Sequence, residues 1–126
     1  MSNVRKDWEE DLKRHLYVQI GGFYGLPKGW VKSFLPNLID DLFNILGGYA
    51  EDWMVLQVKE KFNEFRLYWG WRDRDYSDDE QDYLISLIDK IEAVIDEYRL
   101  LSRRTCWKCG TIIGEYDIYC EKCKMD

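Results

Sequence analysis

The sequence predicts an α+β protein: a body of three main helices and one antiparallel β-hairpin, followed by a small cysteine-rich unit at the C-terminus. Three observations carry this prediction. Apolar residues recur at helical spacing in three stretches, two strand-length runs of β-branched and aromatic residues stand between the second and third, and all four cysteines fall at or after Cys106. The 126 residues are 46% hydrophobic and 16% aromatic with two prolines, a composition that folds rather than stays disordered. A chain of this length supports one real core.

Val4, Trp8, Leu12, Leu16 and Ile20 recur at near-helical spacing and predict an amphipathic helix over residues 3–17. His15 sits beside that stripe as a packed or capping residue. Gly21, Gly22, Gly25 and Pro27 break the pattern, so residues 22–30 read as a loop carrying Phe23, Tyr24 and Trp30. Val31, Phe34, Leu35, Leu38, Ile39, Leu42 and Leu46 mark the second helix, stopped by Gly47-Gly48. Pro36 lies inside it, either starting the main helix after a short turn or kinking a longer one.

Trp53–Val58 and Phe65–Trp69 form the hairpin, and Asn63 suits a left-handed turn position. Two strands alone are marginal in water, so their apolar face must lie on the helices. Ser77-Asp78-Asp79-Glu80 has the form of a capping box, with acids where the helix dipole favours them. The third helix then carries Leu84, Leu87, Ile88, Ile91, Val94, Ile95, Tyr98 and Leu101 to the core and ends among Arg99, Arg103 and Arg104.

Cys106-Trp107-Lys108-Cys109-Gly110 and Cys120-Glu121-Lys122-Cys123 are two CxxC pairs separated by ten residues. Two residues between cysteines let a tight knuckle aim both thiolates at one ion, and Gly110 supplies a permissive backbone. Four thiolates close a tetrahedral shell, which makes Zn²⁺ at Cys106, Cys109, Cys120 and Cys123 structural rather than catalytic. An iron–sulfur centre or redox dithiols are the alternatives. The domain reading is an α+β body over residues 1–103 and a zinc ribbon over 104–126 packed on the end of the last helix, with Thr111 to Tyr119 as the hairpin between knuckles. So small a unit needs its metal to fold.

The remaining composition narrows function. No apolar run approaches the length of a membrane helix, and residues 1–8 lack the apolar core of a signal peptide, so a cytoplasmic, reducing location is expected. One histidine leaves little room for His-based chemistry, and no nucleophile–base pair or open metal position argues for an enzyme. Residues 1–98 hold 12 Lys/Arg against 20 Asp/Glu, whereas residues 99–126 hold 6 against 4. The body therefore repels nucleic acid, while Arg103, Arg104, Lys108, Lys122 and Lys124 with Trp107 offer a weak basic patch. Pinning the end of the third helix is the simpler role for the ribbon.

Asp73, Asp75, Asp78, Asp79, Glu80 and Asp82 crowd one segment without the spacing of an EF-hand. A solvated face is the common explanation of such a run. An acidic face can also imitate a phosphate backbone and occupy a basic channel in a partner, with Trp71 and Tyr76 beside it as interface anchors.

Gly29-Trp30, the run Val55 to Phe62, Phe65-Arg66-Leu67-Tyr68, and a long helix leading through Ser102 into Thr105-Cys106-x-x-Cys109-Gly110 resemble small zinc-ribbon proteins of phages and prophages. The resemblance covers residues 28–123. In size, acidic body and four-cysteine site the chain is similar to the zinc-containing type II-A anti-CRISPR proteins. That similarity implies an inhibitor, in a bacterial host cytoplasm, that binds the type II RNA-guided DNA endonuclease and keeps target DNA out of its positively charged channel. It carries over only the four cysteines as ligands. The alternative is a zinc-ribbon nucleic-acid-binding or transcription-associated protein acting through Arg103, Arg104 and Lys108.

Overall fold

A computed structural model describes residues 26–115 and 117–125. The helix expected over residues 3–17 lies outside the described residues, as do His15, Phe23 and Tyr24. Described elements run α1 (Lys28–Ser33), α2 (Leu35–Leu46), a 3-10 turn (Gly47–Asp52), β1 (Trp53–Lys61), β2 (Glu64–Trp71), α3 (Asp78–Ser102) and α4 (Glu121–Lys124). Helices mixed with one two-stranded antiparallel hairpin agree with the predicted class. The count of three helices does not hold, because the described residues contain four.

Part of the difference comes from proline chemistry. Pro36 has no N–H to return to the carbonyl of Lys32, so the expected second helix breaks at Phe34 (φ −119°) and restarts with the proline in its first turn, where a missing donor costs nothing. The helix also begins earlier than expected. Lys28, Gly29 and Trp30 are helical rather than loop, and Pro27 starts the turn by accepting from the N–H of Trp30 (3.1 Å) and Val31 (3.3 Å).

α2 buries Leu35, Leu38, Ile39, Leu42 and Leu46, and Gly47 ends it at φ 53°. The long α3 lays Leu84, Leu87, Ile91, Ile95 and Tyr98 against α2 and β2. Phe34 sits at the junction, its ring 6.0 Å from Trp30 and 5.8 Å from both Phe65 and Tyr98.

β1 and β2 pair from Trp53↔Trp71 to Lys61↔Glu64, with an irregularity between Val55 and Gln57. The extra residue, Leu56, changes the parity of the strand, so that Trp53 and Val55 face the core before the bulge and Val58 after it. Phe62 (φ 56°) and Asn63 (φ 64°) make the turn. Positive φ at both central residues matches the twist of the flanking strands. Asn63 fits that expectation; Phe62 does not.

Ser77 caps α3 as predicted, accepting from the Glu80 N–H (3.1 Å) while the Glu80 carboxylate accepts from the Ser77 N–H (2.9 Å). At the far end the buried Ser102 hydroxyl accepts from the Phe65 N–H (2.8 Å) and donates to the Arg99 carbonyl (2.5 Å). This bond ties the end of α3 to the hairpin beside the cysteines.

Candidate metal centre

Leaving α3, the chain turns through Arg103 and Arg104 so that Thr105 bridges Ile112. The first knuckle closes when the Cys106 N–H donates to the Thr111 carbonyl (2.8 Å) and the Gly110 N–H to the Cys106 carbonyl (3.0 Å). Gly110 stands at φ 83°, the permissive backbone its type suggested. The second knuckle is the start of α4, with Cys120 at the N-cap and its sulfur accepting from the Cys123 N–H. The spacing predicts a hairpin over Thr111 to Tyr119. Its described residues form no strand, only the single bridge to Thr105, because turns at Gly114 and before Cys120 use up so short a spacer.

The sulfurs of Cys106, Cys109, Cys120 and Cys123 all lie within 4.8 Å of one another. Cys109 and Cys120 are 3.7 Å apart, near the edge of about 3.8 Å that follows from metal–sulfur bonds of about 2.3 Å in a tetrahedron. The Cys120 N–H donates to Cys106 Sγ and the Cys123 N–H to Cys120 Sγ, both at 3.4 Å. Burial, the largest single influence on Cys106, opposes its ionisation, but the N–H groups of Cys109, Cys120 and Lys108 outweigh it and bring the thiol down to about 6. Cys109 is lowered first by the Thr111 hydroxyl, 3.2 Å from its sulfur. Cys123 is pushed up to about 12 by burial and by the other three sulfurs. Four sulfurs this close cannot all ionise alone; a divalent cation removes that conflict. The donor set thus fits a metal ion.

The centre is joined to the body backbone to backbone. The Gly29 N–H donates to the Trp107 carbonyl, and a Cβ on Gly29 would fall 2.0 Å from the Cys106 carbonyl oxygen. A Cβ on Gly110 would meet the Gly29 carbonyl oxygen at 2.7 Å and Ser33 Cβ at 2.8 Å. The Trp30 indole donates to the Thr105 carbonyl (3.3 Å), and the Trp107 indole to Asn63 Oδ1 (2.7 Å). Gly29 and Asn63 are thus parts of the site that sequence reasoning did not assign to it. The glycine directly before a tryptophan, two residues after Pro27, was the available signal.

The acidic residues divide. Asp73, Asp75, Asp78, Asp79 and Asp82 are exposed. Glu80 is engaged inside the protein: besides capping α3 it takes Arg74 (3.3 Å) and the Tyr49 hydroxyl (3.2 Å), and the Ser77 N–H, then Arg74, hold its carboxyl below the ordinary range. Arg74 also forks onto Asp52 at 2.8 and 2.9 Å and lies 3.9 Å over the Tyr76 ring. The Tyr76 hydroxyl donates to the Arg72 carbonyl (2.7 Å), and Trp71 is half-buried with its ring 5.2 Å from Trp69. Glu80, Tyr76 and Trp71 therefore have structural work of their own, and the outward charge of this segment lies on its aspartates.

The acidic face continues beyond the segment the sequence drew attention to. At about 100° per residue, the exposed Asp78, Asp82, Asp89 and Asp96 fall in one sector of about 40°, opposite the buried Leu87, Ile91 and Tyr98. Glu92 borders this row and accepts from the Trp69 indole (2.6 Å), while Asp96 also takes the Arg99 guanidinium (2.9 Å). Helical periodicity applied to carboxylates, as it was to leucines, would have found Asp89 and Asp96. Of the basic positions, Arg103 pairs with Glu64 (3.6 Å) and Glu115 (3.1 Å), while Arg104 and Lys108 are exposed.

The site and fold define a mixed helix and hairpin protein with a clustered four-cysteine centre. No family model, curated protein or solved structure matches the chain. Among the described residues no helix is long and apolar enough to cross a membrane.

Proposed function

We propose that the chain is a binding protein, not an enzyme, in which Zn²⁺ at Cys106, Cys109, Cys120 and Cys123 holds the C-terminal unit on α1. Its acidic surface occupies the nucleic-acid channel of a partner, which the resemblance of residues 28–123 makes the type II RNA-guided DNA endonuclease. The observation that carries the reading is the aspartate stripe of α3. At about 1.5 Å of rise per residue, Asp78, Asp82, Asp89 and Asp96 extend over about 27 Å of the helix, with gaps of about 6 to about 10 Å. One duplex strand offers a phosphate about every 3.4 Å of axis, so the stripe presents charge at roughly every second or third phosphate position. A rigid row of this kind suits a channel lined with Lys and Arg better than a flexible acidic tail does, because little order is lost on docking. Exposed Asp73, Asp75 and Asp79 extend the same charge around the helix start.

The experiment is a DNA-cleavage assay with guide-loaded endonuclease, adding the protein before or after target DNA. Inhibition only on prior addition, abolished by the double change Asp82→Lys and Asp89→Lys with helicity and zinc content unchanged, is the expected result. Full inhibition by the double variant would overturn the role of the stripe, and no binding to the enzyme at excess would overturn the partner.

A further inference from the structure

An open cleft of about 560 Å³ lies between the start of α1 and the second knuckle, lined by Pro27, Lys28, Trp107, Lys108, Tyr119 and Lys124, with Cys123 at its base. Its volume is in the range of small-ligand sites. Two features of its lining bear on what it can bind. First, its floor is aromatic, the rings of Trp107 and Tyr119 meeting edge-on with centroids 6.5 Å apart. Trp107 cannot swing away, because its indole is fixed on Asn63 and its ring packs 6.0 Å from Trp30. Tyr119 is 40% exposed. Second, among the described residues the charged side chains lining it are lysines, brought from α1, the first knuckle and α4. Lys124 reaches Glu121 only at 3.7 Å, through an exposed pair that water screens.

We infer that this cleft binds single-stranded nucleic acid, one unpaired base stacking on the Tyr119 ring, which Trp107 supports edge-on, while Lys28, Lys108 and Lys124 meet the flanking phosphates. Sequence-tolerant single-strand binding needs this combination of a held aromatic face and a cationic rim. The described walls offer neither a free strand edge nor a helix groove with which to read a peptide backbone, which favours a base over an acidic peptide. The site shares no residue with the α3 stripe and stands whether or not the endonuclease reading does. It also moves the nucleic-acid surface away from Arg103, which is occupied by Glu64 and Glu115.

The test is fluorescence anisotropy with the full chain, purified with zinc, and a fluorescein-labelled oligothymidylate of about 12 nucleotides. Binding should weaken from about 50 to about 200 mM salt with a log–log slope near −2, since three single-strand phosphate contacts contribute about −0.7 each. Tyr119→Ala should weaken it about tenfold through lost stacking. Lys28→Glu and Lys108→Glu should each flatten the slope by about 0.7 or more, while Lys90→Glu on α3 should change neither. No binding at low salt overturns the inference, as does binding that Tyr119→Ala and the lysine reversals leave intact. Tighter capture of an oligoglutamate peptide than of the oligonucleotide assigns the cleft to a protein ligand and also overturns it. If the reversals lower zinc retention and not oligonucleotide affinity, the lysines serve to offset the charge of the thiolate centre, and the inference fails.

Discussion

Replacing Gly29 with alanine sets a local preference against a tertiary contact. Gly29 lies within α1, where alanine is favoured over glycine by about 1 kcal/mol. The new Cβ, however, would stand 2.0 Å from the Cys106 carbonyl oxygen, 2.7 Å from Gly110 N and 2.8 Å from Trp107 C. These are backbone atoms of the first knuckle, held by their own hydrogen bonds and by the sulfurs, so no flexible side chain can yield. The knuckle must lift from α1. That movement breaks the Gly29–Trp107 hydrogen bond, strands the buried Trp30 indole N–H now on Thr105, and separates the Trp30 and Trp107 rings. At about 1 kcal/mol for the first, about 1–3 for the second and about 1 for the third, the loss is roughly 3–5 kcal/mol against a gain of about 1. Urea unfolding should therefore place Gly29→Ala about 2–4 kcal/mol below wild type, with faster zinc loss to a competing chromophoric chelator. Gly48→Ala, with nothing within 4 Å of its Cβ, is the control and should be neutral or stabilised by up to about 1 kcal/mol. A Gly29→Ala protein as stable as wild type would refute the backbone-to-backbone joint.

Four further outcomes follow from the same contacts. Ser102→Ala leaves the Phe65 N–H without its buried partner and should cost about 1–3 kcal/mol in urea melts. Phe62→Asn should raise stability by about 0.5–1 kcal/mol, since relief of a left-handed bulky residue exceeds the loss of an exposed Lys61 contact with its ring. Asp52 is held below its ordinary value of 3.8 first by its hydrogen bonds to Arg74, and Glu80 below 4.5 by the Ser77 N–H and then Arg74. Their stabilising effect is present above those values and lost as pH falls through the lower folded ones, so the stability gap between wild type and Arg74→Ala should be constant from neutral pH to about 5 and close below about 4. One zinc per chain should be found by elemental analysis, Co²⁺ should substitute with the absorption of a tetrahedral thiolate site, and Cys106→Ser should lose both.

Much of this protein was legible in its residue order where the controlling forces are local. The capping box at Ser77, the stop at Gly47, the hairpin around Asn63 and the pairing of CxxC knuckles each depend on neighbours within a few positions, and period and turn chemistry report them directly. The stretches where local reading failed are those in which a distant group supplies the missing energy. Lys28-Gly29-Trp30 has glycine and proline beside it and reads as loop, yet it is helical because the first knuckle takes the Gly29 N–H and the Trp30 indole from 75 and more residues away. Phe62 occupies a backbone region it disfavours because β1 and β2, paired along nearly their whole length, fix a two-residue turn whatever side chain stands there.

Charge followed the same division. Composition established that the body is acidic, but only the orientation of α3, set by burial of Leu87, Ile91 and Tyr98, gathered Asp82, Asp89 and Asp96 into one outward row. Likewise, residue type suggested that Glu80, Tyr76 and Arg103 were available, and the fold engages them with Arg74, Arg72 and Glu64. Sequence by itself indicated the hairpin, the long capped helix and the four cysteines that cluster, because helix period, turns and chelate spacing act over short chain distances. Tertiary structure alone decided which charges face outward and where the cysteine unit attaches, because both depend on pairs of groups that meet only after long loops have closed.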